Sequence, residues 1–419
     1  MGATHYSCTG GFIRQCCEQS KNLFKPALRA FFETRLKSAP STPFSLFPFP
    51  FTLSPLPFTL FPCFMQLTPS WLEQILRDEP QVWQQQAVVA ALADTLCAKA
   101  FGITTENVDA VILERSHLLR SIYFSTAFSE FCQSIKLPPS QVLETLWHLW
   151  LPLAIQIASY RKAQPSTLIL GILAGQGTGK TTLAKILILI LAHLKYHAIS
   201  LSLDDLYKTY SDRLALQQQD SRLIWRGPPG THDLKLGLTV LDQLRQPVKQ
   251  IEIPRFDKSA WGGEGDRTQP EIVHVADIVL FEGWFVGVPP IDPACFDTPL
   301  PPIVTPDDQD FARDMNTRLH DYLPLWQRLD RLILLYPVDY RLSLEWRKQA
   351  EHLMIATGRS GMSDAQIEQF VKYFWRSLHP DLFIKPLTKD PSRVDLVIEI
   401  NAARSIGAIY QPGDLGVRN

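Results

Sequence analysis

The spacing of apolar positions changes once along the chain, and the change separates two regions. From Trp71 onward apolar side chains recur at helical spacing (Trp71, Leu72, Ile75, Leu76), behind the start signal Thr68-Pro69-Ser70. The same period predicts helices over 81–101, 108–136 and 140–161, with Pro138-Pro139-Ser140 as a break and a new N-cap. Residues 65–163 thus read as a helical region without visible chemistry, with Phe131, Trp147 and Trp150 in its core. From Ser166 the pattern becomes one of short apolar runs, at 167–173, 198–203, 250–253, 278–281, 331–335 and 394–399. Each has strand length, and helical stretches such as 180–194 lie between them. Buried strands alternating with helices predict an α/β domain over 164–415, three-layered around a mostly parallel sheet.

Residues 1–64 fit neither pattern. The first 37 residues carry Arg14, Lys21, Lys25, Arg29, Arg35 and Lys37 against only Glu18 and Glu33. Residues 40–64 then hold seven Pro, seven Phe and no charge. That stretch is apolar enough to span a membrane, but prolines at this density remove helical donors at nearly every turn. The arm reads as disordered or extended. Three origins stay open: a targeting peptide, a low-complexity linker, or upstream sequence ahead of a true start at Met65.

Composition narrows the function classes. Hydrophobic residues make up 46% and charged residues 20%, as in a soluble globular protein, and the net charge is −1. No bulk field favours nucleic acid or a membrane surface, so an anionic substrate must be held by local cations. The cysteines number seven, with no C-x-x-C pair and no Cys/His ligand spacing. That argues against a disulfide framework or structural zinc, and fits a reducing compartment. The expectation is a cytoplasmic monomer, or a stromal one if the arm is a transit peptide.

The turn after the 167–173 run carries the strongest chemistry: Ala174-Gly175-Gln176-Gly177-Thr178-Gly179-Lys180-Thr181-Thr182. Its spacing is that of the P-loop G-x-x-x-x-G-K-[ST], with Ala174 in the first position. Glycines let backbone N–H groups curl around phosphate oxygens, and the helix that follows aims its positive end at the same anion. Lys180 is expected on the β- and γ-phosphates of ATP, and Thr181 on Mg²⁺. An Asn-Lys-x-Asp guanine box is lacking. The 278–281 run ends in Glu282-Gly283-Trp284 rather than in the acidic pair of a motor, which predicts Glu282 as a Mg²⁺ ligand, direct or through water. The second strand ends in Asp204-Asp205-Leu206-Tyr207, on the sheet edge where α/β folds bind ligands. One aspartate there can take the proton of an attacking hydroxyl, and the other is expected to cap the next helix.

These blocks resemble the phosphoribulokinase/uridine kinase group of P-loop kinases, and within it the D-glycerate 3-kinases of plants and cyanobacteria. The likeness rests on 174–182, on 202–207, and on Arg226-Gly227-Pro228-Pro229-Gly230-Thr231-His232-Asp233. It also rests on Ile253-Pro254-Arg255-Phe256-Asp257-Lys258-Ser259, on Gly265-Asp266-Arg267, on 281–284 and on 361–364. It runs from Trp71 to the C-terminus, and the two substrate-loop blocks are far more specific than the P-loop. The resemblance implies ATP and D-glycerate as substrates and 3-phosphoglycerate as product, the closing step of photorespiratory glycolate salvage. It matches Asp204 to the catalytic aspartate, close to the metal. Asp205, Tyr207, Arg226, His232, Asp233, Arg255, Asp257, Lys258 and Arg267 become acceptor-site candidates, a set rich in the cations a small carboxylate needs. A lid is implied beyond the 331–335 strand, with Arg347 on a helix over 340–354 as its first arginine and Arg359 as its second, toward ATP. Two alternatives stay open: another hydroxylated acceptor (a nucleoside, pantothenate or ribulose 5-phosphate), and a non-kinase NTPase working through a protein partner.

Overall fold

Isoleucines and leucines without an intervening charge build the centre of the molecule. In the computed structural model the described residues are 70–79, 82–246, 250–356 and 361–417. They belong to one unit, Gln66–Asn419. The arm 1–64, the start at Met65, the signal residues Thr68 and Pro69, and Arg359 lie outside them.

The strands in chain order are β1 (Leu168–Ala174), β2 (Ala198–Ser202), β3 (Ile251–Asp257), β4 (Asp266–Val273), β5 (Ile278–Gly283), β6 (Arg331–Pro337), β7 (Leu396–Ile400) and β8 (Ile406–Tyr410). Six of them form one sheet in the order β2-β5-β1-β6-β7-β8. All neighbours are parallel except β7 and β8. Every residue of β1 and β5 is buried, as strands covered on both faces must be.

Alternate strand residues point to different layers. Leu168, Leu170 and Ile172 join a core with Leu183, Ile186, Leu187 and Ile190 of the helix Lys180–His193 and with the N-terminal helices. Ile169 and Leu173 face a second core with Leu241, Phe285, Tyr322 and Tyr373. The result is three layers, with the sheet in the middle. Trp147 is 1% exposed, and Phe131 and Trp150 are each 7% exposed, so all three are core as expected. Among the described residues no helix is long and apolar enough to cross a membrane.

Two expectations need correction. The long N-terminal helices are broken into shorter ones. Asp94 accepts the Cys97 N–H and starts Thr95–Ala100, while Ser125 accepts the Phe128 N–H and starts Thr126–Ser134. Cap side chains satisfy the orphan donors and so permit a turn inside a continuous apolar pattern. The 250–253 run is not part of the parallel sheet. It opens β3, which pairs antiparallel with β4 as a separate hairpin. Ile251 and Ile253 are buried while Glu252 is exposed, the alternation of a strand covered on one face.

Candidate active site

The phosphate loop is shaped by two left-handed glycines, Gly177 (φ 79°) and Gly179 (φ 88°). Gly177 is required twice over, because a Cβ there would also lie 2.8 Å from Cβ of Trp346. The Thr178 hydroxyl donates to the Gly175 carbonyl at 2.8 Å and fixes the curl. Gly179 caps the helix Lys180–His193 without a side-chain hydrogen bond, which leaves the first-turn N–H groups open to an anion.

Strand register brings the first carboxylate to this loop. Glu282, near the end of β5, lies between Ile172 of β1 and Ser202 of β2. The Thr181 hydroxyl donates to Glu282 Oε1 at 3.3 Å, and Oε2 is buried with no hydrogen-bond partner. Burial raises the pKa of this carboxyl, opposed by the Lys180 ammonium. A buried carboxylate oxygen without a donor fits a divalent cation. Among the described residues no group of three or more His, Cys, Asp or Glu is gathered for a metal. A cation here would therefore complete its shell from Thr181 and nucleotide phosphates.

The two aspartates after β2 have separate surroundings. Ser202 opens the tight turn Leu203–Leu206, its N–H donating to Asp205 Oδ2 at 3.0 Å. Arg255 donates to the same oxygen at 2.9 Å, to the Ser200 carbonyl at 3.0 Å and to Glu271 Oε2 at 2.6 Å. Asp205 and Arg255 thereby tie the hairpin to the end of β2. Asp204 instead accepts the Tyr207 hydroxyl on Oδ1 at 2.8 Å and the Lys258 ammonium on Oδ2 at 2.6 Å. Burial pushes its pKa up, but Lys258, Lys180 and these hydrogen bonds outweigh that and hold the carboxyl at about 2.

Behind Asp204 the two acceptor blocks interlock. The Tyr207 ring stacks on His232 with centroids 4.7 Å apart. His232 Nδ1 lies 2.7 Å from the Tyr322 hydroxyl, which accepts the Gly230 N–H at 2.9 Å. Arg267 donates to Asp233 Oδ2 at 2.8 Å and to the Tyr207 carbonyl at 3.1 Å. Arg226 donates to the Gly263 and Glu264 carbonyls at 2.8 Å each. Asp257 is turned to its own loop, where it accepts the Ser259 N–H and hydroxyl. Arg347 pairs with Glu351 at 2.9 Å, and Glu351 in turn accepts the Met362 N–H.

Three supporting residues escaped the sequence reading. Tyr322 reaches His232 from 90 positions away, with no local motif to announce it. Trp346 backs Gly177 from the helix Leu342–Ala356. Arg213 donates to the carbonyls of Lys208, Glu264 and Gly265 at 2.6 Å each, from a helix with no apolar stripe.

A strand–glycine loop–helix cradle, one buried glutamate on the adjoining strand and an aspartate at the end of the next define a P-loop kinase fold. No family model matches the chain. It is 31% identical to D-glycerate 3-kinase, chloroplastic, of Arabidopsis thaliana over 284 residues, 62% of this chain and 60% of that protein. The chain thus covers less than two thirds of that relative. It is 32% identical to the uncharacterized kinase mug58 of Schizosaccharomyces pombe over 222 residues, 51% of this chain and 80% of that protein. The solved D-glycerate 3-kinase from Cryptococcus neoformans var. grubii matches with a TM-score of 0.53 at 27% identity, over 61% of this chain and 98% of that one. At 32% identity over 80% of the mug58 kinase, the chain belongs to the same family of P-loop kinases as that protein.

Proposed function

We propose that the protein transfers the γ-phosphoryl group of ATP to the 3-hydroxyl of D-glycerate, giving 3-phosphoglycerate and ADP. The observation that carries the reading is Asp204, an ionised carboxylate beside the P-loop, flanked by the cation of Lys258 and the interlocked blocks 226–233 and 254–267. A nucleotide switch has no use for such a group, whereas a transferase needs one to receive the hydroxyl proton. The likeness to D-glycerate 3-kinases supports glycerate as the acceptor.

In this reading the backbone of 174–182 and Lys180 cradle the ATP phosphates. Mg²⁺, held by Thr181 and Glu282, would neutralise charge on the β- and γ-phosphates. Both oxygens of Asp204 already accept donors, which favours the base role over a place in the metal shell. The acceptor oxygen attacks the γ-phosphorus, the bond to the β-bridging oxygen breaks, and the hydroxyl proton passes to Asp204. Arg226, Lys258 and Arg267 surround the acceptor with positive charge. Arg347, and Arg359 beyond the described residues, are the lid arginines of this reading.

The test is incubation with Mg·ATP and D-glycerate, with the product identified by mass and by position of phosphorylation. Turnover of a nucleoside, pantothenate or ribulose 5-phosphate in place of glycerate would overturn the acceptor assignment. ATP hydrolysis with no phosphorylated acceptor would overturn the kinase assignment itself.

A further inference from the structure

Lys258 and Asp204 form an unequal ion pair. The Asp204 side chain is 24% exposed and held in place by Tyr207, whereas the Lys258 side chain is 61% exposed and rooted one residue beyond β3. The three neighbouring guanidinium groups are anchored elsewhere. Arg226 is bound to two carbonyls, Arg267 to Asp233 and the Tyr207 carbonyl, and Arg255 to Asp205, Glu271 and the Ser200 carbonyl. Moving any of those guanidinium groups leaves a backbone carbonyl without its donor. Moving Lys258 gives up a single contact, made by a flexible ammonium that carries three donors and no fixed plane.

We propose that Lys258 is a specificity-determining residue that masks the Asp204 carboxylate until an anionic acceptor draws its ammonium away. The proposal rests on the reading of Asp204 as the group that receives the hydroxyl proton. With water or a neutral alcohol in the site, the ammonium stays on Oδ2 and blocks the atom that must take the proton. An acceptor with its own carboxylate offers Lys258 an equivalent partner, so the cation is exchanged rather than stripped. Oδ2 is then free to accept the hydroxyl. The ammonium and the carboxylate are in direct contact at 2.6 Å, so the fitting acceptor carries its charge and its reacting hydroxyl within a few bonds of each other. A three-carbon hydroxy acid meets that condition and a bulky nucleoside does not. The transfer keeps the balance already given: the new P–O bond forms, the bond to ADP breaks, and the proton goes to Asp204. Specificity arises because removing the mask requires the correct charge, a gate against both water and uncharged polyols.

The experiment compares the full chain with Lys258→Met and Lys258→Arg in three assays: ATP hydrolysis without acceptor, kcat/KM for D-glycerate, and kcat/KM for glycerol. For Lys258→Met, acceptor-free hydrolysis should rise about tenfold, and the glycerate-to-glycerol preference should fall about a hundredfold, the scale of a lost charge-assisted hydrogen bond. Lys258→Arg should restore the low hydrolysis at least in part. The thermal midpoint should fall only slightly, since the Lys258 end of the pair is 61% exposed and screened by solvent. The proposal is overturned if Lys258→Met loses glycerate turnover while hydrolysis and glycerol turnover stay at wild-type levels, because Lys258 is then only a carboxylate anchor. It is equally overturned if all three activities fall together. Failure of the glycerate reading is distinguishable: the wild-type chain then phosphorylates no glycerate, yet the hydrolysis assay still reports whether Lys258 masks Asp204.

Discussion

Lowering the pH from 7 to 5 should cost the fold about 2 kcal/mol through one imidazole, that of His232. The ring is 1% exposed, packed between Tyr207, Phe285 and Tyr322, with Nε2 unpartnered. Burial drives its pKa from 6.5 down to about 3, assisted by Lys208 and opposed by Asp204. Because the folded value lies below the unfolded one, the unfolded chain binds more protons throughout that interval. Stability is therefore complete above about pH 6.5 and declines as the pH falls toward 3. At pH 5 the unfolded imidazole is almost fully protonated and the folded one is not, which gives the figure of about 2 kcal/mol. Depressed carboxyls such as Asp204 lose their contribution only at lower pH, so they leave this window clear. His148 and His379, also depressed by burial, titrate in the same direction, and carboxyls raised by burial such as Glu282 in the opposite one, so the measurement must be a difference. Urea unfolding followed by tryptophan fluorescence, at pH 7 and pH 5, is to be run on the wild type and on His232→Phe. The variant should lose about 2 kcal/mol less than the wild type over the interval. Equal losses in both proteins would show that the folded imidazole takes up a proton in place, and the account of its burial would be wrong.

Other perturbations address the chemistry directly. Asp204→Asn should lower kcat by about 10²–10⁴-fold with ATP affinity kept, and a near-normal rate would remove it as the base. Lys180→Ala should abolish turnover while the circular dichroism and thermal midpoint stay as in the wild type; retained activity would count against the phosphate-loop assignment. Glu282→Gln should raise the Mg²⁺ concentration needed for half-maximal activity by about tenfold or more, and an unchanged Mg²⁺ titration would refute the cation site. Gly177→Ala combines a left-handed φ, which costs a Cβ-bearing residue about 1–2 kcal/mol, with contact on Trp346. It should weaken ATP binding, read by nucleotide titration, and lower stability by at least about 1–2 kcal/mol, read by urea unfolding; wild-type affinity and stability would contradict the geometry of the loop.

Much of this architecture was legible because it is written locally. The phosphate loop, the lone glutamate closing an apolar run and the paired aspartates after β2 each lie within a few residues of the element that positions them. Long-range partnership was not legible. Arg255 and Asp205 looked like acceptor ligands, yet they are 50 positions apart and bound to each other, which no spacing rule reveals. Tyr322 behind His232 and Trp346 behind Gly177 arrive from later helices, by tertiary packing alone. The hairpin is indistinguishable from a strand of the main sheet by apolar pattern alone, because its first residues, Ile251 and Ile253, are as apolar as those of a central strand. Only the exposed Glu252 and the pairing with β4 distinguish it.

The Arg255 clamp also bears on solubility. β2 is the outermost strand of the sheet on its side, and an open strand edge is a template onto which a second polypeptide can add. Arg255 donates to the Ser200 carbonyl of that strand and brings the carboxylates of Asp205 and Glu271 with it. A backbone acceptor that could seed intermolecular β-pairing is thus occupied, and charge is planted along the border. The contact that fastens the substrate hairpin to the sheet therefore also acts as a gatekeeper against self-association, and a variant that loosens the hairpin should aggregate before it unfolds.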